Sequence, residues 1–287
     1  MSRNRERVGG TKQTHADPPV PQATQEPVQE SPFSFVVPTE FVELPSGGKF
    51  YPEGHPLHNE ETIEIKQMTA KEEDILTSRS LLKKGIALDR VLKSLIVDKR
   101  IDPDSLLIGD KNAIIVATRV SGYGNDYTTT VACPACGTSQ EFTFDLNDSN
   151  ITTGEDGAEL GVVNNGDGTF NVVLPKSDLD ITFRLLTGRE EKRLLKQAES
   201  KKRSKNGEQN ITLQLSALIQ EVNGDDSPEL ISYVTQNLPS ADSRHLRMAY
   251  RTTSPDLDLT QDFECAECGH EQEMEVPLNA EFFWPDR

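Results

Sequence analysis

The sequence predicts an α+β protein made of two tandem-duplicated helix/strand lobes behind a disordered N-terminal tail. Three observations predict it. The first 38 residues are polar and rich in Pro, Gln and Thr ("THADPPVPQATQEPVQESP"), with no apolar periodicity. From Phe41 onward, strands alternating at period two are interleaved with helical stretches. A Cys-x-x-Cys-Gly hairpin, "VACPACGTSQEFTFDLN" at 131–147, returns as "FECAECGHEQEMEVPLN" at 263–279.

Residues 1–38 bury too little apolar surface to offset the entropy of ordering them, so they read as a tail. "PFSFVV" reads as a lead-in to the first strand, with a short docking peptide as the alternative. The first lobe is then expected over 39–150, a linker with a hairpin over 151–172, and the second lobe over 173–287, with one cysteine knuckle in each lobe.

In the first lobe, "FVELPSGGKFYPEGHPL" is extended chain with Gly and Pro turns. "ETIEIKQMT" alternates into a strand through Ile63 and Ile65. "TAKEEDILTSRSLL" opens a helix, because Thr69 and Glu72 stand at the spacing of a capping box. "ALDRVLKSLIV" gives a second helix with Val91, Leu92, Leu95 and Ile96 on one face. "DPDSLLIGDKNAIIVATRVSGYG" gives a third, with Asp110 early and Gly122 ending it. The alternating cysteine hairpin follows.

The second half repeats the order. "LDITFRLLTGREEKRLLKQ" has its strand (Ile181, Phe183) and its capping pair (Thr187, Glu190). "TLQLSALIQEV" matches the second helix and "LPSADSRHLRMAYR" the third. Residues 106–147 align on 238–279 without a gap, and 13 of the 42 positions are identical. Chance gives roughly two or three, so the chain holds an internal repeat. Extra residues in the second copy, "KKRSKNGEQN" and "NGDDSPE", read as loop. Between the copies, "GVVNNGDGTFNVVL" is a β-hairpin around its Asn/Gly/Asp turn. Asp167 in that turn lacks the ligand series of a calcium loop.

The four cysteines carry the chemistry. Zinc takes four ligands in a tetrahedron, and the two knuckles together offer Cys133, Cys136, Cys265 and Cys268. Gly137 and Gly269 permit the positive φ that aims backbone N–H groups at sulfur. One structural Zn(2+) per chain is expected, held in a four-cysteine zinc ribbon shared by the lobes. A redox pair would need a helix starting at the first cysteine, where an alternating strand stands instead; free buried thiols are the other alternative. A four-thiolate site is closed and has no position for catalysis. His270 is a rim residue, since the tetrahedron is already full. His55 and His58 lie in a surface loop, and Glu72–Glu73 and Glu190–Glu191 suit helix first turns. No catalytic motif is found.

The formal charge of −17 opposes a phosphate backbone, so nucleic acid is not the expected partner. A zinc-ribbon nucleic-acid-binding or transcription-associated factor is the alternative reading. It lacks aromatics interleaved with Lys and Arg, and the basic run at 201–206 reads as solvated loop. No window approaches the roughly 18 apolar residues of a membrane span, and "MSRNRERVGG" has no apolar run behind its arginines.

"FVELPSGGKFYPEGHPL", "EIKQMTAKEEDILTSRSLLKKG" and "LIVDKRIDPDSLLIGDKNAIIVATRVSGYG" together resemble the baseplate hub family of T-even-type contractile-tailed bacteriophages. The resemblance spans residues 41–124 and implies a non-enzymatic structural component or assembly factor of the tail hub. It implies other phage tail and baseplate proteins as partners, assembly in the host cytoplasm and residence in the virion tail baseplate. On that reading the N-terminal tail becomes ordered on a neighbouring subunit.

Overall fold

A computed structural model describes residues 37–154, 157–202, 210–276 and 280–283. The expected tail, residues 1–36 of it at least, lies outside them, as does most of the basic run. The mixed α+β architecture and the duplicated order of elements are as the sequence predicts.

The first repeat opens on β1 (Thr39–Glu43), antiparallel to β2 (Thr62–Lys66) with Val42 opposite Ile63. The loop between them folds back on itself at Gly48, where φ is +72° and a Cβ would sit 2.4 Å from the Glu60 nitrogen. Only glycine fits both conditions. Then come α1 (Ala70–Thr77), α2 (Arg79–Lys83), α3 (Ala87–Leu95) and α4 (Ile108–Tyr123). The hairpin β3 (Asp126–Ala132) and β4 (Ser139–Asp145) follows, with the short β5 (Asn150–Thr152) behind it.

The second repeat begins with a meander, β6 (Val163–Asn164), β7 (Thr169–Val173) and β8 (Asp180–Arg184). The Asn-Asn-Gly-Asp-Gly hairpin is therefore present, and its second strand joins a four-stranded sheet ordered β6-β7-β8-β9. Asp167 caps the turn by accepting from the Thr169 amide at 3.0 Å and its hydroxyl at 2.6 Å. Onward lie α5 (Gly188–Lys202), α6 (Asn210–Leu218), β9 (Ile219–Val222), α7 (Pro228–Asn237) and α8 (Ser240–Thr253). Three strands follow, β10 (Asp256–Asp258), β11 (Thr260–Glu264) and β12 (Glu271–Glu275), and then a 3-10 turn at Ala280–Phe283.

Four local expectations need correction. The first helix breaks at Ser78, whose ψ of 104° is extended. The third helix runs through Gly122 and ends at Gly124, where φ is +83°. "LIQEV" leaves the helix at Leu218 and becomes β9, because Ile219 and Val222 pair with β8 beside Phe183 and Ile181. The insertion at "NGDDSPE" is a turn followed by α7, begun by Pro228 in the first helical turn, where its missing N–H costs nothing.

The two repeats share one core. Ile65, Leu76, Leu92, Leu95 and Ile114 from the first join Phe170, Ile181, Phe183, Leu246 and Phe263 from the second. Phe50 bridges them, its ring 5.6 Å from that of Phe170. Helix α4 is buried on several sides at once, with Ala113, Ile114, Ile115, Val116, Thr118 and Arg119 all enclosed. Its start lies against the second repeat at Gly109, where a Cβ would be 2.1 Å from the Pro255 carbonyl oxygen.

Candidate metal centre

Each knuckle is the tip of a hairpin. In the first, Ala132 pairs with Ser139, and the chain between them turns through Cys133–Thr138. The Cys133 amide donates to the Thr138 carbonyl (2.9 Å) and the Gly137 amide to the Cys133 carbonyl (2.8 Å). The second knuckle repeats both bonds, Cys265 to His270 and Gly269 to Cys265, each at 2.9 Å. Gly137 and Gly269 have φ of +74° and +67°. The turn they permit brings the Thr138 amide onto the Cys136 sulfur and the His270 amide onto the Cys268 sulfur. Such N–H···S bonds are the outer support that thiolate ligands require.

The tips meet. Cys133 Sγ is 3.8 Å from Cys268 Sγ, and Cys136 Sγ is 3.7 Å from Cys265 Sγ. The first sulfur of each knuckle thus faces the second of the other, as a pseudo-twofold relation demands. All four lie within 4.8 Å of one another, and among the described residues no other such cluster of ligating side chains is found. A tetrahedron with metal–sulfur bonds of ~2.3 Å has edges of ~3.8 Å; a disulfide would need ~2.05 Å. The cysteines are free thiols at the separation of four ligands around one ion. Cys133 and Cys265 are buried while Cys136 and Cys268 are exposed, again matching between repeats.

Sulfurs so close cannot all ionise unaided. The Thr138 hydroxyl and amide lower Cys136 to about 6. The His270 amide acts in the same sense on Cys268, but burial and the three neighbouring sulfurs outweigh it and raise that thiol to about 12. A divalent cation is the species that would let four thiolates coexist.

The hairpins are also joined by side chains. The Gln140 amide group donates to the Glu264 carbonyl (3.0 Å) and accepts from the Ala266 amide (2.9 Å). Gln261 does the reverse, accepting from the Asp145 amide (3.1 Å) and donating to its carbonyl (2.6 Å). Two glutamines thus supply the hydrogen bonds that a continuous ladder between the two-stranded sheets would have made. Phe142 and Phe263 pack edge to face at 5.3 Å beneath them.

The repeats are tied again where α4 and α5 begin. The Ile108 amide donates to the Leu186 carbonyl (3.3 Å) and the Gly188 amide to the Leu106 carbonyl (2.9 Å). Lys111 pairs with Glu191 (2.8 Å) and Asp89 (3.7 Å), while Lys192 pairs with Asp89 (2.7 Å) and Asp104.

Asp110 and Asp242, identical in the repeat alignment, are fully buried near the starts of α4 and α8. Asp110 accepts from the Ser46 amide (3.0 Å), the Ser46 hydroxyl (2.6 Å) and the Tyr51 hydroxyl (2.7 Å). Asp242 accepts from the amides of Lys176 and Ser177, both at 2.9 Å. Asp110 fastens α4 to the loop behind β1, and Asp242 fastens α8 to the loop behind β7. Their recurrence was the signal available in the sequence; the burial was not. Arg119, also repeated, is buried and donates to the carbonyls of Phe282 (2.9 Å), Gly124 (2.6 Å) and Asp126 (3.0 Å). Its counterpart Arg251 is exposed.

The remaining singled-out residues have structural partners. His55 bonds the Ser105 hydroxyl at 2.9 Å and stacks on Tyr51, and His58 bonds the Tyr51 carbonyl at 2.7 Å. His245 bonds the Leu160 carbonyl at 3.1 Å. Glu72 and Glu190 close their capping boxes on the amides of Thr69 and Thr187, both at 3.1 Å. His15 lies outside the described residues.

Among the described residues no helix is long and apolar enough to cross a membrane. Searches of curated proteins and of solved structures return no match. The family model described as T4 bacteriophage base plate protein matches twice in tandem, over residues 37–172 and 167–283, one match for each repeat. With both halves of the duplicated body matched, the chain belongs to the T4 bacteriophage base plate protein family.

Proposed function

We propose that the protein is a non-enzymatic structural or assembly component of the phage tail baseplate hub, an adaptor between tail proteins whose two repeats are stapled by one zinc ion. The observation that carries this is the convergence of two sulfurs from each family-matched repeat at tetrahedral spacing. Cys133, Cys136, Cys265 and Cys268 are the ligands; with four thiolates the coordination shell is complete, which suits architecture and leaves no place for substrate. Zinc at this point fixes the relation of one repeat to the other, the property an adaptor needs.

The partners are other tail and baseplate proteins, and the site of action is the tail baseplate, after assembly in the host cytoplasm. Residues 1–40 lie along a neighbouring tail subunit in this reading, and a deletion that leaves incorporation into tails unchanged removes that part of it. Mass spectrometry of purified virions tests the main claim, with the protein expected at fixed copy number. Elemental analysis of the isolated protein is expected to return one zinc per chain. None, or two, overturns the shared site.

A further inference from the structure

The two repeats treat the outer edges of β1 and of its counterpart β7, each the antiparallel partner of the strand that follows it, differently. In the second, β7 is paired on both sides, by β8 and by β6, with Asn171 opposite Val163 and the Asn165 amide donating to the Thr169 carbonyl. The main-chain groups of Thr169, Asn171 and Val173 face that outer side, while Leu174 bonds inward to Leu179. β1 has the same alternation. The Leu44 amide bonds the Glu61 carbonyl and the Gln67 amide bonds the Pro38 carbonyl, so the even-numbered residues serve β2. Thr39, Phe41 and Glu43 therefore turn their N–H and C=O groups outward, and no described residue bonds them.

Among the described residues the β1 edge has no counterpart of β6, and the sequence ahead of the two strands differs. β6 reaches β7 through a turn whose Gly166 and Gly168 have φ of +81° and +85°. In register with that turn, ahead of β1, the first repeat has Phe35, Val36, Val37 and Pro38. Proline is locked at negative φ, so the positive φ of Gly168 is not open to Pro38, the residue in register with it. Phe41, in the middle of the strand, is 70% exposed. β1 carries no bulge and no lysine; the charges that stand on it, Glu40 and Glu43, are both acidic.

We propose that the β1 edge receives an extended segment of a neighbouring tail protein, which adds as a strand, sets an apolar side chain against Phe41 and carries basic residues beside it. This rests on the baseplate reading above and names the surface through which it acts. The basic character follows from the surroundings: Glu43 shares the exposed face of Phe41, Glu64 stands directly across the ladder, and Glu60 and Glu61 lie just beyond. Lys66 is the sole cation of the two strands. A second copy of this acidic chain would bring the same carboxylates against these. Main-chain bonds would supply affinity and the side chains selectivity.

Hydrogen exchange followed by mass spectrometry on a peptide covering residues 38–44 tests this, comparing the free full-length protein with assembled tails. In the free protein the amides of Glu40, Val42 and Leu44 are expected to be slow and those of Thr39, Phe41 and Glu43 fast. In tails all six become slow. Phe41→Pro, which removes an outward donor and leaves the β2 ladder whole, is expected to lower incorporation about tenfold with the unfolding midpoint unchanged. Outward amides that stay fast in tails containing the protein overturn the proposal while the baseplate reading survives; absence of the protein from tails overturns that reading instead. Protection already present in the free chain and lost on deleting residues 1–36, or protection that grows with protein concentration, also overturns it, in favour of the chain's own segment or a second copy.

Discussion

Replacing Cys133 and Cys265 with serine, singly and together, distinguishes a shared centre from two separate ones. A ligand that binds only the folded state stabilises it by RT ln(1 + [L]/Kd), about 4 kcal/mol when free zinc stands at a thousand times Kd. The sulfurs already lie at 3.7–3.8 Å across the two pairs, so little rearrangement opposes binding and nearly all of that term adds to stability. Either single substitution removes one ligand of the same ion and is expected to cost about 3–4 kcal/mol in zinc-buffered urea titrations. The double variant should then lie within about 1 kcal/mol of either single, the residue being the cost of a second buried polar group. Chelation of the unmodified protein should reproduce the loss and should add nothing to the variants. Independent centres behave otherwise, because effects at uncoupled sites add to within about 0.5 kcal/mol. Additive losses, or a midpoint indifferent to chelator, would refute the shared site.

Three more outcomes follow from buried polar groups. Asp110→Ala leaves three donors without their acceptor in a dry setting and is expected to cost about 3–5 kcal/mol by thermal or urea unfolding, with Asp242→Ala about 2–4. Arg119→Lys keeps the charge, yet one ammonium cannot serve three diverging carbonyls, so unfolding should register a loss of about 2–3 kcal/mol. Burial raises Glu72 and Glu190, but hydrogen bonds from Ser94 and Thr69, and from Thr187 with Arg184 beside it, more than offset this and hold both below the usual carboxylate value. Such lowered groups stabilise the fold above their unfolded pKa and lose that contribution as pH falls through the folded one. The acid limb of a stability–pH curve should therefore flatten in Glu72→Gln/Glu190→Gln, and an unchanged limb would contradict it.

What the sequence disclosed and what it hid have separable physical causes. The cysteine hairpins were legible because alternation, a paired-ligand spacing and a following glycine all agree, and the gapless repeat placed their partner. The capping boxes at Thr69 and Thr187 were equally plain, being local. β9 was not, since "LIQEV" continues a leucine-rich helical pattern and only pairing beside Phe183 and Ile181 makes it a strand. The break at Ser78 carries no Gly or Pro to announce it. Helix α7 hid inside an apparent insertion, though Ser227-Pro228 is a respectable helix start. At the centre itself, the four clustered cysteines were readable, but the glutamine clamps were not. Gln140 was counted only as one more identity, and Gln261 has threonine at its counterpart, so nothing in the alignment distinguished it.

The division of the sulfurs has a consequence for biosynthesis. Neither half alone owns more than a pair, so a nascent chain halted after the first hairpin holds an incomplete coordination shell however much metal is present. A zinc ion bound as proposed would therefore work as a logical conjunction, captured firmly only when both segments have been translated and have found each other. On that proposal, a particle that recruits the clasped form would reject truncated polypeptides without any separate inspection step.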